Sequence, residues 1–306
     1  YGIAGKVWDA AYFTALYLSA PSQAPEQPAQ TQRPARSLAF MPAPNMLYPG
    51  LDATAETARS CRPLTVLELG SGTGYLGLHV ARQLANWHRR QAQNTAAKAE
   101  TPPAALVVLT DIDNTVPLLQ RNVQLAAGSA DTNMTEQTHA GNGDVTLDGQ
   151  VRVWARPLHW GKAEDATRLQ SELATALASW HTSKQNEPAA WDVVIGSDLV
   201  YFPELYPPLL ETLCQTYTTA RPTILTCGQV CSPRTVLVLG WRCRQMWRET
   251  PFWEQLGRHF VFEAVRVRTT TTKSDEQTHQ QEEEEEDDEA FFGEDDATWV
   301  FVATRR

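Results

Sequence analysis

Three shortages narrow the field. No apolar run in the 306 residues approaches the roughly 20 needed to cross a bilayer, so no membrane partner is expected. Cysteine is sparse. Cys61, Cys214, Cys227, Cys231 and Cys243 form an odd, scattered set, and no second pair or histidine cluster joins Cys227 and Cys231 to complete a metal site. Reduced thiols in a cytoplasmic or nuclear protein are expected, with no metal. Basic residues are also short, with 26 Lys and Arg against 36 Asp and Glu. Without a basic face to meet phosphates, nucleic acid is not an expected partner. The opening Tyr1-Gly2-Ile3-Ala4 lacks the basic patch and apolar stretch of a signal peptide.

The acid excess is local. Glu282 to Glu289 is an unbroken run of eight acids, so without it the net charge of −10 falls to −2 and the body of the protein is near neutral. The run reads as a solvated, self-repelling loop over about 269–296, with a steering surface for a basic partner as the alternative. A hydrophobic content of 42% is enough to bury a full core. One monomeric domain over 1–306 is expected, with low-complexity insertions near 21–49, 88–104 and 128–149.

Periodicity orders the rest. Trp8, Ala11, Tyr12, Ala15 and Leu16 share one face of a helix over Val7 to Leu18, and Pro21 to Pro49 reads as a long loop. Short apolar strands are predicted at Thr65–Leu69, Ala105–Thr110, Val151–Ala155, Trp191–Gly196 and Thr223–Cys227. Helical stretches fall between them at Leu76–Trp87, Thr115–Ala127, Thr167–Trp180 and Glu204–Tyr217, and another is predicted from about Thr235 to Gly257. This alternation implies a doubly wound α/β fold around a mostly parallel sheet. The last strands, Phe260–Val267 and Thr298–Ala303, have no helical pattern between them and are expected to pair as an antiparallel hairpin. That ending fits a seven-stranded methyltransferase sheet, whereas a dinucleotide-binding sheet would need another crossover helix.

Three places carry chemistry. Gly70-Ser71-Gly72-Thr73-Gly74 follows a buried strand, preceded by Glu68, where glycines let the backbone turn sharply and approach a ligand. Gly72 to Gly77 also satisfies the dinucleotide pattern, so the turn alone leaves NAD and S-adenosylmethionine both open. Asp111 ends the second strand, where a carboxylate accepts ribose hydroxyls; Asp113 competes but is well placed to cap the next helix. Ser197-Asp198-Leu199-Val200-Tyr201 ends the fourth strand and offers a carboxylate and a phenol to the crevice at the strand carboxyl ends. The bland reading makes Asp198 a helix cap and Tyr201 core.

Taken together, these blocks resemble the methyltransferase-like protein-lysine methyltransferases, family 16 of the seven-β-strand superfamily. The matching blocks are Val7-Trp8-Asp9-Ala10-Ala11, Glu68 to Gly74, Thr110-Asp111, Leu158-His159-Trp160-Gly161 and Asp198-Leu199-Val200-Tyr201, the last fitting the family's D-x-x-Y motif. The resemblance implies a Rossmann-like methyltransferase fold and S-adenosyl-L-methionine contacts from Trp8, Gly70, Ser71, Gly72, Asp111, Trp160 and Ser197. It assigns Asp198 and Tyr201 to the catalytic end, and implies a lysine of another protein, such as a translation elongation factor or a chaperone, as acceptor. Ser197 stands where many relatives carry alanine. An NAD-dependent oxidoreductase is the rival enzyme class, disfavoured because no Tyr-x-x-x-Lys pair follows the turn. A catalytically silent binding module of the same fold is the rival non-enzyme.

Overall fold

The computed structural model describes residues 2–19, 36–48, 63–93, 104–128, 144–180, 189–217, 235–273 and 284–306. The strands are β1 (Arg36–Met41), β2 (Leu64–Leu69), β3 (Ala105–Asp111), β4 (Val145–Leu147), β5 (Val151–Pro157), β6 (Val193–Ser197), β7 (Val236–Arg242), β8 (Phe260–Ala264), β9 (Arg266–Lys273), β10 (Glu284–Phe291) and β11 (Thr298–Arg305). The helices are α1 (Asp9–Tyr17), α2 (Tyr75–Gln93), α3 (Val116–Gly128), α4 (Ala163–Trp180), α5 (Tyr206–Thr216) and α6 (Met246–His259).

The main sheet has eight strands in the order β4-β5-β3-β2-β6-β7-β11-β8. From β5 through β7 every pairing is parallel, while β11 runs antiparallel to both β7 and β8. The expected C-terminal hairpin is therefore present, and its second strand inserts between β7 and β8. Strand β4, a short antiparallel addition at the far edge, was not among the expected strands.

Helices cover both faces, which is why the central strands are apolar throughout rather than alternating. Along β3, Ala105, Val107 and Leu109 pack with α2 and α3 residues such as Val80, Leu84, Leu119 and Val123. Leu106 and Val108 face the opposite way, toward Leu169 and Leu173 of α4 and Leu209 and Leu213 of α5. Two apolar layers thus sandwich one sheet, and every strand that ends at the same edge delivers its carboxyl end to one crevice.

Several expected boundaries are corrected. Val236–Arg242 is a strand rather than the start of a helix, and the helix begins at Met246. The run Val-Leu-Val-Leu has no alternation because both of its faces are covered, so period alone does not separate it from a buried helix. The strand expected at Thr223–Cys227 lies outside the described residues. Helix α2 extends through Gln93, into the stretch read as an insertion. On α1, Ala11 and Ala15 are buried as expected, but so are Ala10, Thr14 and Tyr17, while Tyr12 and Leu16 are exposed.

The largest correction is a second sheet, ordered β1-β9-β10, built from the stretches read as a proline-rich loop and an acidic loop. Phe260–Val267 divides at buried Val265, whose amide donates to Val300 and whose carbonyl accepts from Phe292, so β8 stays in the main sheet and β9 leaves it. Acids from Glu284 to Glu289 form the edge strand β10 opposite Lys273, a row of threonines, and Arg268. Glu289 pairs with Arg266 at 2.5 Å. At Glu289 both Arg266 and Arg268 stand within ion-pair distance, so this end of the acidic run is met by opposite charge. Phe40 and Phe292 (5.0 Å between ring centroids) seat this sheet against Phe13 and Tyr17 of α1.

Gly240 fixes how α1 meets the main sheet. A Cβ there would collide with Oγ1 of Thr14 and stand 2.9 Å from the carbonyl oxygen of Ala10. Gly240→Ala is expected to overpack this contact at a cost of about 2 kcal/mol, read as a lower urea midpoint with unchanged slope. An unchanged midpoint would show that α1 rides on the sheet loosely.

Candidate active site

The crevice at the carboxyl ends of β2, β3, β5 and β6 is a cavity of ≈ 860 Å³, within the roughly 300–1,000 Å³ usual for small-molecule sites. All nine residues singled out in the sequence line it: Trp8, Gly70, Ser71, Gly72, Asp111, Trp160, Ser197, Asp198 and Tyr201.

The glycine turn is built by backbone sterics. Gly70, Gly72 and Gly74 have φ of +59°, +53° and +80°, a region that disfavours any Cβ. A Cβ on Gly70 would stand 2.8 Å from Leu199 and 3.1 Å from Trp160, so the turn is locked against the β6 loop and the residue block after β5. Ser71 ties the turn to β3: its amide donates to the Thr110 carbonyl, and its Oγ accepts from the Thr110 amide at 3.0 Å.

Asp111 closes β3 and faces the turn. Its Oδ2 accepts from the Gly72 amide and its Oδ1 from the Ile112 amide, both at 2.8 Å. Each oxygen keeps a lone pair for a ligand hydroxyl. Asp113 does not line the cavity; it is largely exposed and lies 3.5 Å from His159. His159, part of the block carrying Trp160, is held by Asp165 through its Nδ1 at 2.7 Å and also lines the cavity.

Glu68 lies beneath the turn, 2% exposed, with Oε2 making no hydrogen bond. Burial pushes its carboxyl up to about 8, against lowering by Ser71 and the Gly77 amide, with Asp111 raising it further. The site therefore favours the protonated, neutral form of Glu68 beneath the turn. The sequence marks Glu68 only as a neighbour of the turn; the available signal was a lone carboxylate within the otherwise apolar end of β2.

At the other end, Asp198 is buried with φ +57°, a left-handed backbone that Asp tolerates better than most residues. Both its oxygens accept from Arg244, at 2.9 and 3.0 Å. The Arg244 guanidinium also lies 5.3 Å from the centroid of the Trp8 ring, whose Nε1 donates to the Ile3 carbonyl. Tyr201 is half-buried against Phe202, and its hydroxyl is raised above the ordinary tyrosine range by burial and then by Asp111. Sequence reading missed Arg244, which no motif marks. Among the described residues no group of His, Cys, Asp and Glu could hold a metal, and no helix is long and apolar enough to cross a membrane.

A glycine turn and a strand-end aspartate in one crevice of a doubly wound sheet, with an antiparallel strand pair at its far end, define a Rossmann-like protein of the methyltransferase type. The chain belongs to the lysine methyltransferase family, whose match covers residues 1–233. It is 30% identical over 148 residues to protein-lysine N-methyltransferase EFM6 of Saccharomyces cerevisiae, an alignment covering 48% of this chain and 42% of that protein. It is 24% identical over 201 residues to protein N-lysine methyltransferase METTL21A of Xenopus tropicalis, covering 66% and 59%. The chain thus spans about half the length of these curated relatives. Family and fold imply a methyl donor as cofactor.

Proposed function

We propose that the protein is an S-adenosylmethionine-dependent protein-lysine N-methyltransferase acting on a lysine of another protein. The observation that carries the reading is one cavity lined both by an adenosine-type cradle, Asp111 with the Gly70–Gly72 turn, and by the Asp198–Tyr201 pair. The donor set fits the cofactor: a carboxylate with free lone pairs for ribose hydroxyls, and two indoles, Trp8 and Trp160, that suit a cationic sulfonium and an adenine.

When bound, S-adenosylmethionine supplies an electrophilic methyl group on a sulfonium, open to in-line attack by a neutral amine. The residues of this chain bind, align and exclude water. Asp111 would hold the ribose hydroxyls, and the glycine turn would bound the site beside it. Ser197, at the end of β6 and in the cavity lining, is assigned to the cofactor side by the family resemblance. A free lysine is protonated at pH 7, and reaching its neutral form costs roughly 4–5 kcal/mol. Tyr201 walls the acceptor channel and, with Trp8, removes water from the amine, which lowers that cost. Asp198 accepts a hydrogen bond from the incoming amine and orients its lone pair, while the amine's proton leaves to water. The resemblance to the family favours an elongation factor or a chaperone as acceptor.

Calorimetry with S-adenosylmethionine and with NAD, followed by tritium labelling of a cell extract, tests the reading. S-adenosylmethionine should bind and NAD should not. Asp111→Ala is expected to weaken cofactor binding by about 2–3 kcal/mol, since hydrogen bonds to a charged group have that magnitude, and Asp113→Ala should do much less. Preference for NAD would replace the reading by an oxidoreductase. Binding with no labelled protein in any extract would favour a silent module.

A further inference from the structure

Arg244 stands outside the stretch matched by the family and outside every sequence block described above, yet it makes the most specific side-chain contact at the acceptor end. Its guanidinium takes both oxygens of Asp198 at 2.9 and 3.0 Å, a fork that only a planar guanidinium supplies. The loop between β7 and α6 is itself fixed for this purpose. The buried Glu249 carboxylate accepts from the Gln245 amide at 2.9 Å, from the Arg244 amide at 3.3 Å and from Trp241 Nε1 at 2.9 Å. Asp198 is also held from its own side, since its amide donates to the Gly240 carbonyl at 2.9 Å.

The charge balance at this wall follows from those contacts. Asp198 is 4% exposed in its side chain and Arg244 is 34% exposed, so the pair presents a carboxylate whose charge is met in place. Of the charges nearest the pair, Glu249 is engaged as above and Arg242 with Asp9, while Lys6 and Asp111 line the same cavity and are common to the parent and every variant tested below. A bare carboxylate in the channel would attract the ammonium form of lysine, which has no lone pair to attack with. A carboxylate already bridged by Arg244 keeps two of its four lone-pair positions, enough to accept a hydrogen bond from a neutral amine. Resting on the methyltransferase reading, we infer that Arg244 is the positioning residue of the acceptor channel: it neutralises Asp198 so that the site orients a neutral lysine amine without capturing the ammonium ion.

The test compares two small probes on the full chain, n-butylammonium chloride and its neutral isostere n-butanol, titrated at pH 7 and followed by the indole resonance of Trp8. The parent is expected to show little preference between them. Arg244→Gln uncovers the carboxylate and should prefer the ammonium at least tenfold. Asp198→Asn, which leaves an unmatched guanidinium, should turn several-fold against it. Arg244→Lys, which keeps the charge, should resemble the parent. Asp198→Asn decides the question even if Arg244→Gln fails to fold, because its shift has the opposite sign. A merely structural role for Arg244 would lower the melting temperature without changing the preference. Equal preference in the parent and the variants, or an ammonium preference in the parent as strong as that expected of Arg244→Gln, overturns the inference. Running the series with and without S-adenosylhomocysteine separates the two claims. Failure to bind that compound would count against the methyltransferase reading, while the probe preference would still report on Arg244.

Discussion

Asp198→Asn is expected to lower single-turnover methylation of the true acceptor by about a hundredfold while leaving S-adenosylmethionine affinity within a few-fold of the parent. Asparagine keeps one acceptor oxygen but brings an amide group in place of the other and leaves the Arg244 guanidinium unmatched, so the orienting contact is lost, and such a loss at a reacting centre commonly costs about 3 kcal/mol. The split between rate and affinity follows from position: Asp198 lies beyond Ser197 at the end of β6, whereas Asp111 and the glycine turn belong to β2 and β3. Asparagine is the informative substitution because it tolerates the φ of +57°; alanine there would add backbone strain of about 1 kcal/mol and blur the result. Tyr201→Phe keeps the ring and should have a mild effect, while Tyr201→Ala opens the wall and should be the more damaging of the two. Normal methylation by Asp198→Asn, or joint loss of cofactor and activity, would sink the orienting role.

The glycine turn, Asp111, Ser197 and Asp198 were legible in the sequence because they sit at or just beyond strand ends, which converge in a doubly wound sheet, whereas Trp8, before α1, and Trp160 were marked only by the family's blocks. Glu68, Asp111 and Asp198 follow short apolar runs bounded by turns, which local pattern identifies well. What local pattern missed was made by partners distant in the chain. Strand β7 reads like a helix until both sheet faces are known to be covered. Strands β1 and β10 each pair with β9, and neither the proline-rich stretch nor the acidic run announces that pairing by its own pattern. The pairing of Arg244 with Asp198 spans 46 residues, so nothing near either residue announces it. On α1 the periodicity located the helix but turned its face, because the close approach to Gly240 selects Ala10 and Thr14 for the interior and leaves Tyr12 and Leu16 outside.

Glu68 gives the largest expected effect on stability, and its sign is fixed by the direction of its shift. The ordinary value of 4.5 is raised to about 8 in the folded protein, chiefly by burial. Below pH 4.5 the carboxyl is protonated in both folded and unfolded chains, so its stabilising contribution is fully present. As pH rises, the unfolded chain releases the proton while the folded one retains it, and folding loses about 1.4 kcal/mol per pH unit until the folded carboxyl itself titrates. The accumulated loss by pH 8 is on the order of 5 kcal/mol. Glu68→Gln keeps the shape and removes the titration, so its urea midpoint should match the parent near pH 4.5 and exceed it increasingly toward pH 8. Other ionisable groups act on both proteins alike, so the difference between the two profiles isolates this carboxyl. Parallel profiles across that range would show that Glu68 is ionised in the folded protein, with a second negative charge beside Asp111 beneath the glycine turn.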